Sequence, residues 1–103
     1  MTGEVIWTWA AEADLQKFFA ECEDRQDGSG IHLLERIEKA TELLLRFPYM
    51  AGLWHEPIRR LVIRRSFLGL FYVPERRGII VIAVADLRQD PERLKLEVRS
   101  RLP

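Results

Sequence analysis

Two stretches in the first half of the chain carry apolar residues at the three- and four-residue spacing of an amphipathic helix. The first stripe predicts a helix of about 12 to 14 residues and comprises Ala11, Leu15, Phe18, Phe19 and Cys22. The second is longer and comprises Leu33, Leu34, Ile37, Ala40, Thr41, Leu44 and Leu45. Pro48 ends the second helix because proline cannot continue its hydrogen bonding. The pattern predicts two consecutive helices.

The segments that flank these helices carry turn and capping residues. A β-branched and aromatic run at residues 5 to 9 favours a strand, and Thr8 at its end can cap the first helix. Between the helices, Gly28 and Gly30 interrupt the pattern, and Asp27 or Ser29 can cap the second helix. A short glycine-rich connection predicts that the helices pack as an antiparallel hairpin.

The second half of the chain changes to strand-like runs. Residues 58 to 64, 67 to 73 and 79 to 85 are β-branched and aromatic, and residues 74 to 78 form a good hairpin loop ending in Gly78. We predict an antiparallel meander, with the last run in the interior of the sheet because it contains no polar residue. Residues 47 to 57, with two prolines, are expected to form a connecting loop.

The chain is expected to close with a helix. Asp90 can cap it, Pro91 fits its first position, and Glu92 faces its positive end. Leu94, Val98 and Leu102 form a thin apolar stripe. The predicted fold is therefore α+β, with the order β-α-α-β-β-β-α and a helical hairpin packed on a mainly antiparallel four-stranded sheet, in a single domain over residues 1–103.

Composition narrows the class of protein. Sixteen basic residues balance sixteen acidic ones, which argues against a protein that coats nucleic acid through bulk charge. No apolar run approaches the roughly 20 residues of a membrane span, and the N-terminus lacks a secretory signal, so a cytoplasmic location is expected. Cys22 is the single cysteine, so we expect neither a disulfide nor a thiolate metal site, and no metal or other cofactor.

The distribution of charge is more informative than its sum. Residues 12 to 42 are rich in acids, whereas residues 59 to 65 contain Arg59, Arg60, Arg64 and Arg65 and no acid. Strand alternation would send Arg60 and Arg64 to one face and Arg59 and Arg65 to the other. Arg88 follows the last strand and can join either pair. Because one of Phe71 and Tyr72 should face the less covered side of the sheet, Tyr72 joins these arginines as a candidate binding residue.

Three local patterns, in order along nearly the whole chain, resemble the RelE/ParE superfamily of small bacterial toxins. The opening signature of the superfamily is similar to Trp7-Thr8, Ala11 and Asp14-Leu15. The end of its second helix is similar to Leu44, Phe47-Pro48 and Gly52. Its middle strands and tail are similar to Arg64-Arg65, Leu70-Phe71-Tyr72, Val81, Val84, Arg88 and Asp90-Pro91.

This resemblance implies the toxin of a type II toxin-antitoxin system, neutralised by a cognate antitoxin. Some members of the superfamily cut messenger RNA on the ribosome, and others inhibit DNA gyrase without known hydrolytic chemistry. RNA cleavage needs a base, an acid and cationic donors. Where nuclease members often carry a histidine or tyrosine, this chain has Asp86-Leu87, and no histidine or tyrosine follows Tyr72.

These differences from the nuclease members favour a ParE-like action on DNA gyrase. The alternatives are a ribosome-dependent endoribonuclease, with Asp86, Arg64 and Arg88 as candidate catalytic residues, and a decayed toxin that only binds its antitoxin. Antitoxin tails of the superfamily are commonly acidic and amphipathic. We therefore predict an apolar antitoxin-binding surface with a basic rim to which Arg60 and Arg64 contribute.

Other side chains with chemical potential have ordinary structural interpretations. His32 and His55 are too far apart in sequence to form an obvious metal pair, although His55-Glu56 could pass protons. Tyr49 and Trp54 could stack on a base or, more simply, fill the gap beneath the helical hairpin.

Overall fold

The computed structural model describes residues 3–102. The first strand, β1, spans Glu4–Trp7, and helix α1 spans Trp9–Arg25. Thr8 caps α1 as predicted, because its side-chain oxygen accepts a hydrogen bond from the Ala11 backbone N–H at 3.1 Å. Helix α1 has 17 residues and is longer than predicted, since it includes Trp9, which the sequence pattern assigned to the strand.

Helix α2 spans Ser29–Arg46, and its junction with α1 corrects the predicted cap. The capping position is Gly28, at φ 89°, and neither Asp27 nor Ser29 caps α2. The Ser29 hydroxyl instead donates to the carbonyl oxygens of Cys22, at 2.6 Å, and Gln26, at 2.9 Å. Glu23 supplies the missing acceptor for α2, because its carboxylate receives the Gly30 N–H at 2.7 Å.

Within the described part of the chain, the sheet has five strands, not the predicted four. Strands β2 to β5 span Leu53–His55, Ile58–Val62, Leu68–Glu75 and Gly78–Asp86. Their order with the first strand is β1-β5-β4-β3-β2. Strand β2 lies inside the segment that was predicted to be a loop. It pairs irregularly with β3, and with three residues it is too short to show an alternation of apolar and polar side chains.

The sheet is mixed because β1 pairs in parallel with β5, whereas the other strand pairs are antiparallel. The turn between β4 and β5 is tight, and Gly78 follows it at φ 149°. A Cβ atom on Gly78 would lie 1.9 Å from the Glu4 carbonyl oxygen. Glycine is therefore required where β1 approaches the hairpin.

Two apolar clusters lie on opposite faces of the sheet. The helical hairpin covers one face through Leu33, Ile37 and Leu44, which pack with side chains such as Leu70 and Tyr72. Helix α3 and Trp54 cover the other face, and that cluster contains Ile58, Phe71, Ile82, Ala83, Leu94 and Val98. Phe71 faces the α3 side, as expected for one of Phe71 and Tyr72, whereas Tyr72 faces the helical hairpin, and each is 0% exposed.

Helix α3 spans Pro91–Arg99 and begins as predicted, since the Asp90 carboxylate accepts a hydrogen bond from the Glu92 N–H. Leu94 and Val98 are buried and Leu102 is partly buried against the same cluster, which confirms the thin apolar stripe. Within residues 3–102, no helix is long and apolar enough to cross a membrane.

Candidate functional site

The arginines of residues 59 to 65 do not form one cluster on one strand. Strand β3 ends at Val62, so Arg59 and Arg60 lie on the strand while Arg64 and Arg65 lie in the turn after it. Arg65 has φ 59°, in the left-handed region that a strand does not use. The predicted alternation across the four arginines is therefore wrong, because extended backbone does not continue to Arg64.

Arg59 is engaged in holding the loop between α2 and β2. Its guanidinium donates to the Ala51 carbonyl oxygen at 2.7 Å and to the Tyr49 carbonyl oxygen at 3.3 Å. The same group lies 4.9 Å from the centre of the Tyr49 ring, within cation–π range. Arg59 thereby fixes the backbone of this loop and one aromatic side chain on it.

Tyr72 stabilises the same loop from the interior of the protein. It is fully buried, and its hydroxyl donates to the Pro48 carbonyl oxygen at 2.7 Å. Burial raises the pKa of Tyr72 above its ordinary value of 10.0, although the charge of Arg59 and a backbone hydrogen bond from Ala51 act in the opposite direction. The structure therefore places this predicted binding residue in the core, where it positions a surface loop.

The end of α2, the loop after it and the first residue of β2 present exposed apolar side chains, which we name the loop patch. Its five large side chains are 41 to 69% exposed, and they are Leu43, Phe47, Tyr49, Met50 and Leu53. Arg46 lies 5.7 Å from the centre of the Phe47 ring, and Arg59 is the cross-strand partner of Leu53. Two arginines, Arg46 and Arg59, thus border this apolar surface.

Asp86, Arg88 and Phe67 meet at the end of β5. The Arg88 guanidinium donates from Nε to Asp86 Oδ1 at 3.1 Å and from Nη2 to Asp86 Oδ2 at 2.7 Å. It also lies 4.1 Å from the centre of the Phe67 ring. The Leu87 N–H donates to the Phe67 carbonyl oxygen, so the turn that carries Arg64 and Arg65 lies beside this pair.

The contacts with Arg88 make Asp86 less suited to act as a general base. Side-chain and backbone hydrogen bonds from Arg88 lower the pKa of Asp86, and the pair raises the pKa of Arg88. A carboxylate with a lowered pKa is a weak proton acceptor, because efficient general bases have pKa values near the operating pH. The site is partly open, with the Asp86 side chain 31% exposed, but its charge is balanced internally by Arg88.

One polar constellation was missed by sequence reasoning. Arg101 Nη1 lies 2.6 Å from Asp14 Oδ2, and the same carboxylate accepts the Val84 backbone N–H at 3.0 Å. Asp14 belongs to the opening signature but was assigned no partner there. The position of Arg101 in the sequence could have indicated such a contact. Arg101 follows Val98 by three residues on the apolar stripe, and a cation on that side of the segment needs a nearby acceptor.

The structure places His32 on the surface and Trp54 in the apolar cluster beside α3. His32 lies on the surface beside Glu35, with Nδ1 and Oε1 3.2 Å apart. Trp54 packs edge-on against Phe71, with ring centres 4.7 Å apart, on the face opposite the helical hairpin instead of beneath the hairpin. Among residues 3–102, no group of three or more His, Cys, Asp or Glu side chains is arranged to hold a metal ion.

Comparison with known proteins gives a family and a fold. The family model described as "ParE toxin of type II toxin-antitoxin system, parDE" matches residues 5–91. A solved structure described as the chromosomal ParDE toxin-antitoxin system from P. aeruginosa superimposes with a TM-score of 0.73 at 15% sequence identity. The match covers 84% of this chain and 98% of that one. Comparison with curated protein sequences gives no significant match.

Proposed function

Because the chain belongs to the ParE toxin family of type II toxin-antitoxin systems, we propose that it inhibits growth by binding DNA gyrase without hydrolysing RNA. A cognate antitoxin neutralises it by covering the loop patch. The family match supports the toxin class, and the geometry of Asp86 supports the absence of hydrolysis.

The observation that carries this proposal is the Asp86–Arg88 pair. Asp86 is the acid nearest the position where nuclease members often place a proton-transfer group, and both of its oxygens accept hydrogen bonds from Arg88. Arg88 is therefore less available to donate hydrogen bonds to the negative charge of a phosphorane during RNA cleavage. Arg59 is committed to the loop after α2, which removes a second cation from any RNA site.

A supercoiling assay with purified gyrase tests the target. The toxin in excess should stop the supercoiling of relaxed plasmid, and Asp86→Asn should inhibit equally, because the carboxylate takes no part in the action. Undisturbed supercoiling with a toxin that still stops growth would contradict the proposal.

Mapping transcript ends after brief induction tests the ribonuclease alternative. Cuts phased with codons that disappear in Asp86→Asn and in Arg88→Met would establish cleavage and overturn the non-hydrolytic proposal. A third outcome, in which neither growth nor supercoiling is affected, would favour a decayed toxin that retains only antitoxin binding.

The loop patch is the surface that best fits the antitoxin. Its side chains are large and apolar, and Arg46 and Arg59 border it, so an acidic amphipathic segment complements it in both hydrophobicity and charge. Tyr72 and Arg59 hold the loop in place before the partner arrives. A fixed surface loses less entropy on binding than a mobile one.

Matched substitutions test this assignment against the antitoxin encoded beside the toxin gene. Tyr49→Glu and Leu53→Glu should each weaken antitoxin binding at least tenfold, since each places an acid facing an acidic segment. Leu96→Glu is the control, because Leu96 is 72% exposed on α3 and lies outside the loop patch. Equal affinity for all three variants would exclude the loop patch.

Arg60 and Arg64 belong to the same proposal as contributors to the basic rim. Both are exposed, and Arg60 lies on β3 next to Arg59, which touches the loop patch. Reversing the charge of Arg60 and Arg64 together should slow antitoxin association and reduce its dependence on salt. Unchanged affinity and salt dependence would remove these two residues from the rim.

A further inference from the structure

Among residues 3–102, the outer edge of β5 has a strand partner along only part of its length. Strand β1 pairs with β5 from Gly78 to Val81, and the Thr8 N–H adds one hydrogen bond to the Val81 carbonyl oxygen. Strand β5 continues to Asp86, with an irregular register opposite Phe71 and Tyr72 that leaves Ile82 as an extra residue. Strand β4 pairs with the inner side of β5 as far as Asp86, but the backbone groups that point to the outer edge beyond Val81 need partners other than a strand.

Side chains from α1 and from the turn after α3 take the place of the missing strand. The Ile82 carbonyl oxygen accepts a hydrogen bond from Arg101 Nη1 at 3.0 Å, and the Val84 N–H donates to Asp14 Oδ2 at 3.0 Å. Asp14 and Arg101 are joined to each other by two contacts, of 2.6 and 3.3 Å. We name this group of Asp14, Arg101 and the β5 edge the brace.

The brace differs from a surface ion pair in its burial and in its number of contacts. The side chains of Arg101 and Asp14 are 19% and 20% exposed, and Arg101 Nη2 also contacts Glu97 at 3.3 Å. Hydrogen bonding to Asp14 raises the pKa of Arg101, so the guanidinium remains charged in this setting. Partly buried, doubly bonded charge pairs are stronger than exposed single ones.

The brace lies at the end of the segment that covers the second face of the sheet. Helix α3 has nine residues, of which Leu94 and Val98 are buried. A helix of this length is unstable alone and depends on its tertiary contacts. Besides those two side chains, its end is held by the brace and by a long hydrogen bond from Arg99 to the Glu56 carbonyl oxygen at 3.4 Å.

We propose that the brace is a latch that holds α3 closed over the sheet, and that breaking it releases α3 as a unit while the rest of the fold persists. The helical hairpin and the strands keep their own cluster of buried side chains on the other face, so they do not need α3. Opening uncovers the apolar side chains that α3 covers on its own face of the sheet, such as Ile58 and Ile82, while Trp54 stays packed against Phe71. The latch is independent of the target assigned above.

Native-state amide hydrogen exchange on the full chain tests the latch residue by residue. Arg101→Met should speed exchange at the α3 amides of residues 94 to 98 and at Val84 by about tenfold or more. Protection in α2 and β4 should stay unchanged. The expected signature is local, whereas a general loss of stability would speed exchange throughout the slowest amides.

Arg88→Met is the matched control, because it breaks a bidentate arginine–aspartate pair that touches β5 but not α3. It should leave the α3 amides unchanged. Asp14→Asn should reproduce Arg101→Met, and combining the two should add little, since both break one unit. Arg101→Lys, which keeps the charge but loses the bidentate geometry, should give an intermediate rate and replaces the methionine variant if that fails to fold.

Two results would overturn the latch. Unchanged exchange in α3 after Arg101→Met would show that the apolar stripe alone holds the helix. An equal increase at α2, β4 and α3 would show that α3 and the main core open only together.

Discussion

The two faces of the sheet are covered in different ways, although the same strands supply both. On one face, α1 and α2 bring 17 and 18 residues and bury Leu33, Ile37 and Leu44 against the strands. On the other face, the nine residues of α3 bury two side chains, and a polar brace holds the end of the segment. Many shared apolar contacts favour cooperative unfolding, whereas few favour local opening. The hairpin face therefore maintains the fold, and the α3 face is the one that can open.

The largest expected effect is at the hairpin face. Leu44→Ala removes a fully buried side chain between α2 and the sheet, and it should lower the free energy of unfolding by about 2 to 5 kcal/mol. Urea denaturation followed by circular dichroism measures the change. A loss well under about 1 kcal/mol would mean that the site collapses around the cavity and that this face is less rigid than its burial indicates.

Leu94→Ala at the α3 face is the matched comparison, because Leu94 is also buried, at 4% exposure. It should lower the free energy of global unfolding by about 1 kcal/mol, since α3 can open before the core does. Leu96→Ala on the exposed side of the same helix is the control and should change stability by less than about 0.5 kcal/mol. If Leu94→Ala costs as much as Leu44→Ala, the two faces unfold as one unit.

Tyr72 connects the hairpin face to the loop patch and gives a pH-dependent effect. Because burial raises the pKa of folded Tyr72 above about 10, the value in an unfolded chain, its contribution to stability is complete below that pH. It is lost as the pH rises through the folded-state pKa. In Tyr49→Phe, where Tyr72 is the one remaining tyrosine, tyrosinate absorbance should appear above pH 10 and together with unfolding. Ionisation at about pH 10 in a fully folded chain would contradict the burial argument.

The smallest effect is expected at the Asp86–Arg88 pair, which is exposed and balanced on the surface. The lowered pKa of Asp86 means that its contribution is present above the unfolded-state value, about 3.9, and is lost as the pH falls through the folded-state pKa. Asp86→Asn should shift the urea midpoint at neutral pH by less than either core substitution, and the shift should vanish in acid. A shift as large as that of Leu44→Ala would show that this pair supports the fold.

The local parts of the structure could be predicted because neighbouring residues determine them. Thr8 and Asp90 cap their helices as predicted, since a capping side chain needs only the backbone two or three residues ahead. Helix α2 ends at Arg46, shortly before Pro48, because proline acts on its own local backbone. Asp27 and Ser29 do not cap α2. The Gly30 N–H at the start of α2 donates instead to the carboxylate of Glu23, from the preceding helix.

The candidate site was less predictable because its charges are distributed by long-range contacts. Arg59 and Tyr72 both donate hydrogen bonds to backbone carbonyl oxygens of the loop after α2. The apolar side chains of that loop lie on the surface. Strand β2 exists because β3 offers it an edge, and its three residues have no pattern of their own. The brace joins residues 14 and 101, a separation at which sequence spacing carries no geometric information.

The sequence by itself determined the α+β class, the helical hairpin, the meander and the resemblance to the RelE/ParE toxins, because periodicity and turn residues act over short distances. Only the tertiary structure decided the fifth strand, the parallel pairing of β1 and which arginines are free to meet a partner. These features depend on which backbone edges and carboxylates come together in space. Asp86 and Asp14 illustrate the point, since each is an acid near an arginine, but one pair is exposed and the other joins two elements of the fold.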